Sequence, residues 1–185
     1  NNSLYAYNNV GRIYRYNLLT DQFELYLDLA EHIYMGLVLH YLFIDSQEQL
    51  WIGLNSGLYC CLLGETPQLI DSDCHVTYIT ELPQSMAIGT TCDLRIYSKD
   101  RNLLQKLCPD TYVQSLLPLP NKEILLIGTF NCGVKSISLS SWQEQPVKNG
   151  SLPHTPIRSM IEMTPSTVLL GFDGDGVYTY NLSSG

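Results

Sequence analysis

Short apolar runs alternate with polar residues along the chain, and glycine, asparagine, aspartate, serine and proline bound the runs. Alternation with a period of two, bounded in this way, predicts β-strands. One stretch shows the pattern best and predicts four strands, which we name A to D, at 36–44, 49–54, 57–63 and 67–71. The chain sustains no apolar stripe with the 3.6-residue period of a helix, so the pattern predicts an all-β protein.

The segment LWIGLNSGLY at 50–59 recurs along the chain. Copies stand at 86–97, 125–137 and 168–180, and a weaker copy near the N-terminus has Tyr7 where the others have their first glycine. Those glycines, at 53, 89, 128 and 171, are 36, 39 and 43 residues apart. A period of roughly 40 to 50 residues is typical of a propeller blade. We therefore predict five β-propeller repeats, at roughly 1–30, 36–71, 75–107, 112–148 and 155–185.

In the copy at 50–59 the two glycines flank the predicted turn between strands B and C, whereas the copy at 86–97 has Asp93 in place of the second glycine. Gly57 follows Asn55 and Ser56, and at that position it can take a positive φ without a Cβ clash. Gly53 lies near the end of strand B, where glycine marks a bend or a close approach of another segment. We expect the first glycine of each copy to permit tight packing of one blade on the next.

The first and last repeats are predicted to be incomplete. The first begins at strand B and the last stops after strand C, so both carry B and C and do not complement each other. An open fan of blades would expose sheet faces and edges that proteins normally cover. The expectation is that residues 1–185 form a partial β-propeller domain and that adjoining blades belong to a larger propeller.

The composition excludes some classes of partner. The net charge is −8 and the isoelectric point is about 4.8, which argues against nucleic acid because phosphate binding needs a basic surface. Charged residues make up 15% of the chain, and thirteen tyrosines outnumber four phenylalanines. Such a surface suits neutral polar ligands. The longest apolar stretch, 33–44, is too short for the roughly 20 residues that span a bilayer.

Candidate catalytic and metal-binding residues have simpler interpretations. Asp173 and Asp175 resemble part of a calcium loop, but no glutamate follows at the required distance, and the B to C turn explains them. Asp45 and Glu81 precede their glycines by eight residues, which places them in A to B turns and not in a glycosidase-like pair. The six cysteines lack metal-ligand spacing and suit buried positions. We predict no catalytic residue, no metal and no cofactor.

The topology of a four-stranded meander predicts where a ligand would bind. The B to C turns and the D to A connectors emerge on one face, which we call the loop face. Its polar and aromatic residues suit the hydroxyl groups and rings of sugars. The candidate ligand-binding residues there are His32, Tyr34, Asp73, His75, Asn131, His154, Asp173 and Asp175.

The segment FIDSQEQLWIGLNSGLY at 43–59 resembles the two-component regulator propeller repeat, in which an acidic turn precedes a Trp-Ile-Gly strand and a Gly-Leu hairpin exit. The segments LLIGTFNCGV at 125–134 and MAIGTTCDL at 86–94 keep the Ile-Gly-Thr core. The copies depart from the family pattern in one respect, since Trp51 alone preserves the tryptophan.

This resemblance implies the periplasmic sensor region of a hybrid two-component system of Gram-negative gut bacteria, anchored in the inner membrane. In that family two seven-bladed propellers precede an immunoglobulin-like domain, a membrane helix and a histidine kinase, and the region senses glycan-derived oligosaccharides without catalysis. The expected partners are an oligosaccharide, the remaining blades and the immunoglobulin-like domain of the same protein, and a second copy in a homodimer. The alternatives are a propeller glycosidase or lyase, with acids converging in its channel, and a protein-interaction scaffold, with a large apolar patch.

Overall fold

The computed structural model describes residues 3–31, 38–150 and 152–184. These residues form five antiparallel sheets of three or four strands, with two single-turn 3-10 helices at Leu29–Glu31 and Pro120–Lys122. The predicted fold class, an all-β protein built of propeller blades, is confirmed. The chain divides into two compact units, Asn1–Val76 and Thr77–Gly185. Within the described ranges, no helix has the length and apolar character needed to cross a bilayer.

The first unit contains two sheets. The first sheet comprises β1 (Tyr5–Tyr7), β2 (Arg12–Asn17) and β3 (Gln22–Asp28). The second comprises β4 (Leu39–Ile44), β5 (Gln49–Leu54), β6 (Gly57–Leu62) and β7 (Gln68–Asp71). Both are meanders in which neighbouring strands pair antiparallel. Their core includes Ile13, Leu29, Leu39, Leu50, Ile52 and Leu54.

The second unit contains three sheets. The third sheet comprises β8 (Val76–Glu81), which begins at the boundary between the units, β9 (Ser85–Thr90), β10 (Leu94–Ser98) and β11 (Leu103–Leu107). The fourth comprises β12 (Val113–Leu119), β13 (Ile124–Thr129), β14 (Val134–Ser138) and β15 (Glu144–Gln145). The fifth comprises β16 (Ile157–Thr164), β17 (Thr167–Phe172) and β18 (Gly176–Asn181). The first sheet thus holds strands B to D, and the fifth holds strands A to C.

The predicted strands of the second repeat agree closely with the observed ones. Strand B is Gln49–Leu54 as predicted, strand C ends at Leu62, and strand D begins at Gln68. Strand A begins at Leu39, whereas the prediction began at 36, and residues 36 and 37 lie outside the described ranges. All six residues of β5 are buried, as expected for a strand packed on both faces.

The two glycine roles predicted from the sequence are both observed. Gly57 has φ +147°, and a Cβ there would lie 2.5 Å from the carbonyl oxygen of Asp71. At Gly128 a Cβ would overlap the Ser115 hydroxyl and would lie 2.9 Å from Cγ2 of Ile157 in the next sheet. The missing side chain at Gly128 is therefore what allows β16 to approach β13.

A recurring hydrogen bond joins consecutive inner strands of the second unit, where an inner strand is strand A of its sheet. Thr77 Oγ1 on β8 donates to the carbonyl of Val113 on β12 at 2.7 Å. Ser115 Oγ on β12 donates to the carbonyl of Ile157 on β16 at 2.6 Å. Each hydroxyl lies beside the glycine that ends strand B of its own sheet, Gly89 and Gly128 respectively. We call this pairing of a hydroxyl with a glycine the inter-sheet latch.

Asp45 has the role in the A to B turn that the sequence predicted. Its carboxylate is 5% exposed and accepts hydrogen bonds at 2.9 Å from the backbone N–H groups of Gln47 and Gln49 and from the Trp51 indole. Glu81, which the sequence predicted in an A to B turn, is instead the last residue of β8 and forms an ion pair with Lys99. The hydrogen bonds to Asp45 close the turn and hold the fully buried Trp51 indole. The acidic residue and the tryptophan of the repeat motif therefore form one structural element.

Candidate ligand-binding face

The B to C turns and the D to A connectors are hydrogen-bonded to each other within each unit. In the second unit Thr111 N–H donates to the Cys92 carbonyl at 3.1 Å, and Phe130 N–H donates to the Tyr112 carbonyl at 2.9 Å. In the first unit Asn55 N–H donates to the Val38 carbonyl at 3.1 Å. The two kinds of loop therefore lie on the same face of each unit, as the topology predicted.

Three inner strands carry a register shift at the same place, at the end that meets the loop face. The shifts lie between Leu39 and Tyr41, between Val113 and Ser115, and between Ile157 and Ser159. The residues at the centre of these shifts are His40, Gln114 and Arg158. A β-bulge leaves one residue outside the ladder and re-aims its side chain, and bulges are common next to binding sites.

In the second unit the bulge residues of two consecutive sheets contact each other. Arg158 Nη1 donates to Gln114 Oε1 at 2.7 Å, and its Nη2 and Nε donate to Asp173 Oδ2 at 2.6 and 3.2 Å. Gln114 is buried, whereas Arg158 and Asp173 are exposed. We call these three residues the arginine cluster. It presents a positioned guanidinium and a carboxylate at the surface.

A pair of aromatic rings lies on the same loop face of the second unit. Tyr112, in the connector before β12, stacks on Phe130, in the hairpin after β13, with ring centroids 5.0 Å apart and an interplanar angle of 11°. Phe130 is exposed, and Tyr112 precedes the bulge residue Gln114 by two positions. A flat apolar surface beside polar groups is suited to the face of a sugar ring.

In the first unit the bulge residue His40 contacts His75. Their Nε2 atoms are 2.9 Å apart, and the ring centroids are 4.6 Å apart. Burial lowers the pKa of His40, and the neighbouring imidazole of His75 lowers it further. A single shared proton suits this geometry, because one neutral ring can accept the N–H of the other. Protonation of His40 is therefore disfavoured in the folded protein.

The structure brings some of the predicted site residues into contact and leaves others apart. His75 pairs with His40, Asp173 belongs to the arginine cluster, and Asp175 accepts a 2.5 Å hydrogen bond from Thr155. Asp73 and Asn131 are exposed in loops that they help to form: Asp73 N–H donates to Asp71 Oδ1 at 2.9 Å, and Asn131 Oδ1 accepts from Cys132 Sγ at 3.3 Å. His154 is exposed in the connector before β16. His32 and Tyr34 lie outside the described residues.

The sequence pattern does not reveal the residues that organise this surface. Gln114, Arg158 and His40 do not share a residue type, and they stand within strands, where the alternating pattern gives no sign of a bulge. Tyr112 and Phe130 flank strands and read as ordinary apolar boundaries. The signal that could have found them is the repeat itself, because Gln114 and Arg158 both follow a β-branched residue and precede a serine.

Clefts also occur elsewhere on each unit. In the second unit a cleft of about 350 Å³ lies at the opposite end from the loop face, where residues of the A to B turns such as Gln84 and Glu123 meet Trp142. In the first unit a cleft of about 270 Å³ lies between the two sheets, beside Tyr26 and Cys61. Among the residues that the structure describes, no group of three or more histidine, cysteine, aspartate or glutamate side chains is arranged to hold a metal ion.

The six cysteines are all thiols and have two kinds of environment. Four are buried, at 60, 61, 74 and 108, as the sequence predicted, whereas Cys92 and Cys132 are exposed in B to C hairpins. Burial, a hydrogen bond to Glu144 and the charge of that carboxylate together raise the pKa of Cys108 to about 12. Cys108 is thus a structural thiol.

No family model matches the chain, and no curated protein matches it. Solved structures do resemble it. The extracellular domain of BT4673 from B. thetaiotaomicron, described as a hybrid two component system, is 20% identical with a TM-score of 0.77, over 97% of this chain and 26% of that domain. The corresponding domain of BT3049 from the same organism is 16% identical with a TM-score of 0.74, over 96% of this chain and 25% of that domain.

The fold also resembles a protein of another kind. Sqt1 from Saccharomyces cerevisiae is 16% identical with a TM-score of 0.75, over 97% of this chain and 54% of that protein. The chain spans about a quarter of each B. thetaiotaomicron domain that it matches. At these identities the comparisons show that the chain has the fold of a series of propeller blades.

Proposed function

We propose that this chain is a non-catalytic, ligand-sensing propeller segment of an extracytoplasmic sensor, and that it binds a glycan-derived oligosaccharide on the loop face of its second unit. The observation that carries the proposal is the arginine cluster at two β-bulges, with the stacked Tyr112–Phe130 pair on the same face. The structural resemblance to extracellular domains of two-component systems supports the sensor class.

The geometry of the arginine cluster suits recognition of sugar hydroxyl groups. A guanidinium has five N–H donors, and the bonds to Gln114 and Asp173 engage three of them. Up to two donors remain for a ligand, and the second carboxylate oxygen of Asp173 can accept from a hydroxyl. Because Gln114 and Asp173 hold Arg158 before the ligand arrives, little side-chain entropy is lost on binding.

The same proposal assigns the partners and the compartment. The chain would lie in the periplasm as part of a sensor anchored in the inner membrane, next to further blades and an immunoglobulin-like domain of the same protein. Ligand binding would shift a homodimer between two arrangements, by no more than the difference in its affinity for them. The net charge of −8 is consistent with a ligand that is neutral and does not require a basic surface.

Calorimetric titration against a panel of oligosaccharides, with product analysis of the same mixtures, tests this function. We expect saturable heat without new products, and Arg158→Ala should weaken binding roughly 10- to 100-fold because it removes hydrogen bonds that involve a charged group. Phe130→Ala should weaken binding as well. Lys122→Ala, which removes a positive charge in an A to B turn at the opposite end, is the matched control and should leave the affinity unchanged.

Three results would contradict the proposal. Cleavage products would show an enzyme, and the absence of saturable heat across the panel would remove the ligand class. An equal loss of affinity in Arg158→Ala and Lys122→Ala would place the binding site away from the arginine cluster.

A further inference from the structure

The fifth sheet has one face that packs on the fourth sheet and one face that is open. The pairing registers align Ser159 with Gly171 and Val177, and Ile161 with Leu169 and Thr179. Since residues in register across a sheet point to the same side, these side chains form one surface. We call it the outward face; its residues are Ser159, Ile161, Leu169, Gly171, Val177 and Thr179.

We propose that the outward face binds the inner strand of a further repeat sheet, and that Ser159 and Gly171 recognise that strand through the inter-sheet latch. This inference rests on the part of the proposed function that places the chain next to further blades, and it does not depend on ligand binding. It rests on the packing of the fourth and fifth sheets.

The outward face of the fifth sheet matches the face of the fourth sheet that the fifth sheet covers. Counting from the latch glycines, Gly128 and Gly171, the equivalent pairs are Ser115 and Ser159, Leu117 and Ile161, Leu126 and Leu169, Val134 and Val177, and Ser136 and Thr179. Every pair conserves the polar or apolar character of the position. The two faces are therefore built for the same kind of neighbour.

The two faces differ in how much of their side-chain surface is exposed to solvent. Val134 is 1% exposed, because the core shared by the fourth and fifth sheets covers it, whereas Val177 is 69% exposed. Ile161 is 62% exposed, and its counterpart Leu117 packs against that shared core. A face without charged residues that leaves β-branched side chains open is the kind of surface that marks an interaction site.

The inter-sheet latch indicates which residues the docking strand should carry. Val113 and Ile157 accept a hydrogen bond through their carbonyls, and their β-branched side chains fill the space beside Gly89 and Gly128. Val113 stands two residues before Ser115, which carries the latch to the fifth sheet, and Ile157 stands two residues before Ser159. The occupant of the Ser159–Gly171 latch should therefore be an inner strand with the pattern Val/Ile, any residue, Ser/Thr.

A further repeat fits this surface better than a second copy of the chain does. In a second copy Val113 and Ile157 are already packed on their own latch glycines, and Leu39 on β4 is buried in the core of the first unit. Val76, at the start of β8, is fully buried. These inner strands would have to leave their own sheets in order to dock.

A tandem duplication tests the proposal. Residues 139–181 are inserted again after Asn181, which aligns with Ser138 at the end of strand C. The insertion supplies a strand D and then a second copy of β16, β17 and β18, so that the original fifth sheet becomes internal. Val177→Cys is made in the original sheet of both proteins, and labelling of that cysteine is followed by peptide mass spectrometry. Leu19→Cys, at a highly exposed position of the first unit, is the control.

Burial of the outward face in the extended protein should slow labelling at position 177 at least about tenfold, because reaction then requires local opening. Labelling at position 19 should not change. In the extended protein, Ser159→Ala and Gly171→Ala should lower the urea midpoint as much as Ser115→Ala and Gly128→Ala do, whereas in the original chain they should lower it much less.

Three outcomes would overturn the proposal. One is equal labelling of position 177 in both proteins. Another is a urea midpoint that Ser159→Ala lowers no more in the extended protein than in the original chain. This variant keeps the test decisive if Gly171→Ala fails to fold. The third is concentration-dependent dimerisation of the original chain that protects position 177, which would assign the face to a second copy.

Discussion

Gly128→Ala should destabilise the second unit by wedging the fourth and fifth sheets apart. The added Cβ would overlap Ser115 Oγ and lie 2.9 and 3.0 Å from Cγ2 and Cβ of Ile157, whereas nonbonded carbon atoms prefer about 3.5 to 4.0 Å. Ile157 is fully buried, and its backbone carbonyl accepts the hydrogen bond from the Ser115 hydroxyl. The clash can be relieved only if the latch opens or the sheets separate.

The magnitude follows from three contributions. Loss of the Ser115 hydrogen bond costs about 1 kcal/mol, and overpacking a close-packed core costs about 1 to 3 kcal/mol. Replacement of glycine by alanine returns about 0.4 to 1 kcal/mol by restricting the unfolded chain. The net expected loss is about 1 to 3.5 kcal/mol of unfolding free energy.

Gly171→Ala is the matched control within the same chain. Gly171 holds the same register position in the fifth sheet, but the nearest atom to its added Cβ is the Ser159 hydroxyl at 2.5 Å. Ser159 is exposed, so its side chain can rotate away. We expect Gly171→Ala to stay within about 0.5 kcal/mol of the original protein, as surface substitutions usually do.

Urea unfolding, monitored by hydrogen exchange of the second unit, measures the difference. With a slope of about 2 kcal/mol per molar urea, in the middle of the usual range, Gly128→Ala should lower the midpoint by about 0.5 to 2 M. Ser115→Ala and Gly128→Ala both remove the same hydrogen bond. The double variant should therefore lose less stability than the sum of the two single losses. Equal midpoints for Gly128→Ala and Gly171→Ala would refute the packing argument.

Three further predictions concern single groups. Asp45→Ala should lower the free energy of unfolding by about 3 kcal/mol, and Asp45→Asn should lower it less because it keeps one acceptor oxygen. Equal losses for the two variants, measured by urea unfolding, would show that the hydrogen bond from Trp51 to Asp45 does not stabilise the fold. His75→Gln should raise the pKa of His40 in an NMR titration, and an unchanged His40 pKa would contradict this. The folded-state pKa of His40 lies below the ordinary value of histidine, so acid favours unfolding below about pH 6.5. The substitution should therefore reduce the loss of stability in that pH range. Cys108 should react with thiol reagents far more slowly than the exposed thiols at pH 8, and early labelling there would contradict its burial.

The repeating elements were predictable because each depends on a local pattern. The strands at Gln49–Leu54 and Gly57–Leu62 follow the apolar alternation, and the conformation of Gly57 follows from its place after a two-residue polar turn. The role of Asp45 was predictable only in part. The sequence predicts the turn, but the bond to the Trp51 indole joins residues six positions apart and depends on how the strands pair.

The candidate site was less predictable because pairing register creates it. Gln114 and Arg158 lie in ordinary strand sequence, and a bulge appears only when two strands are aligned. Their contact then joins residues 44 positions apart. The loop residues Asn131 and His154 could be assigned to a face from topology, but no local pattern tells which of them a ligand would contact.

The bulge at the start of the inner strands separates recognition from architecture. His40, Gln114 and Arg158 differ in size, charge and hydrogen-bonding capacity, yet the flanking residues keep their places in the ladder in all three sheets. Since the extra residue makes no ladder hydrogen bond, its identity can change at little thermodynamic cost. A protein built in this way can acquire new chemical selectivity by point substitution at one position per blade, while its scaffold stays intact.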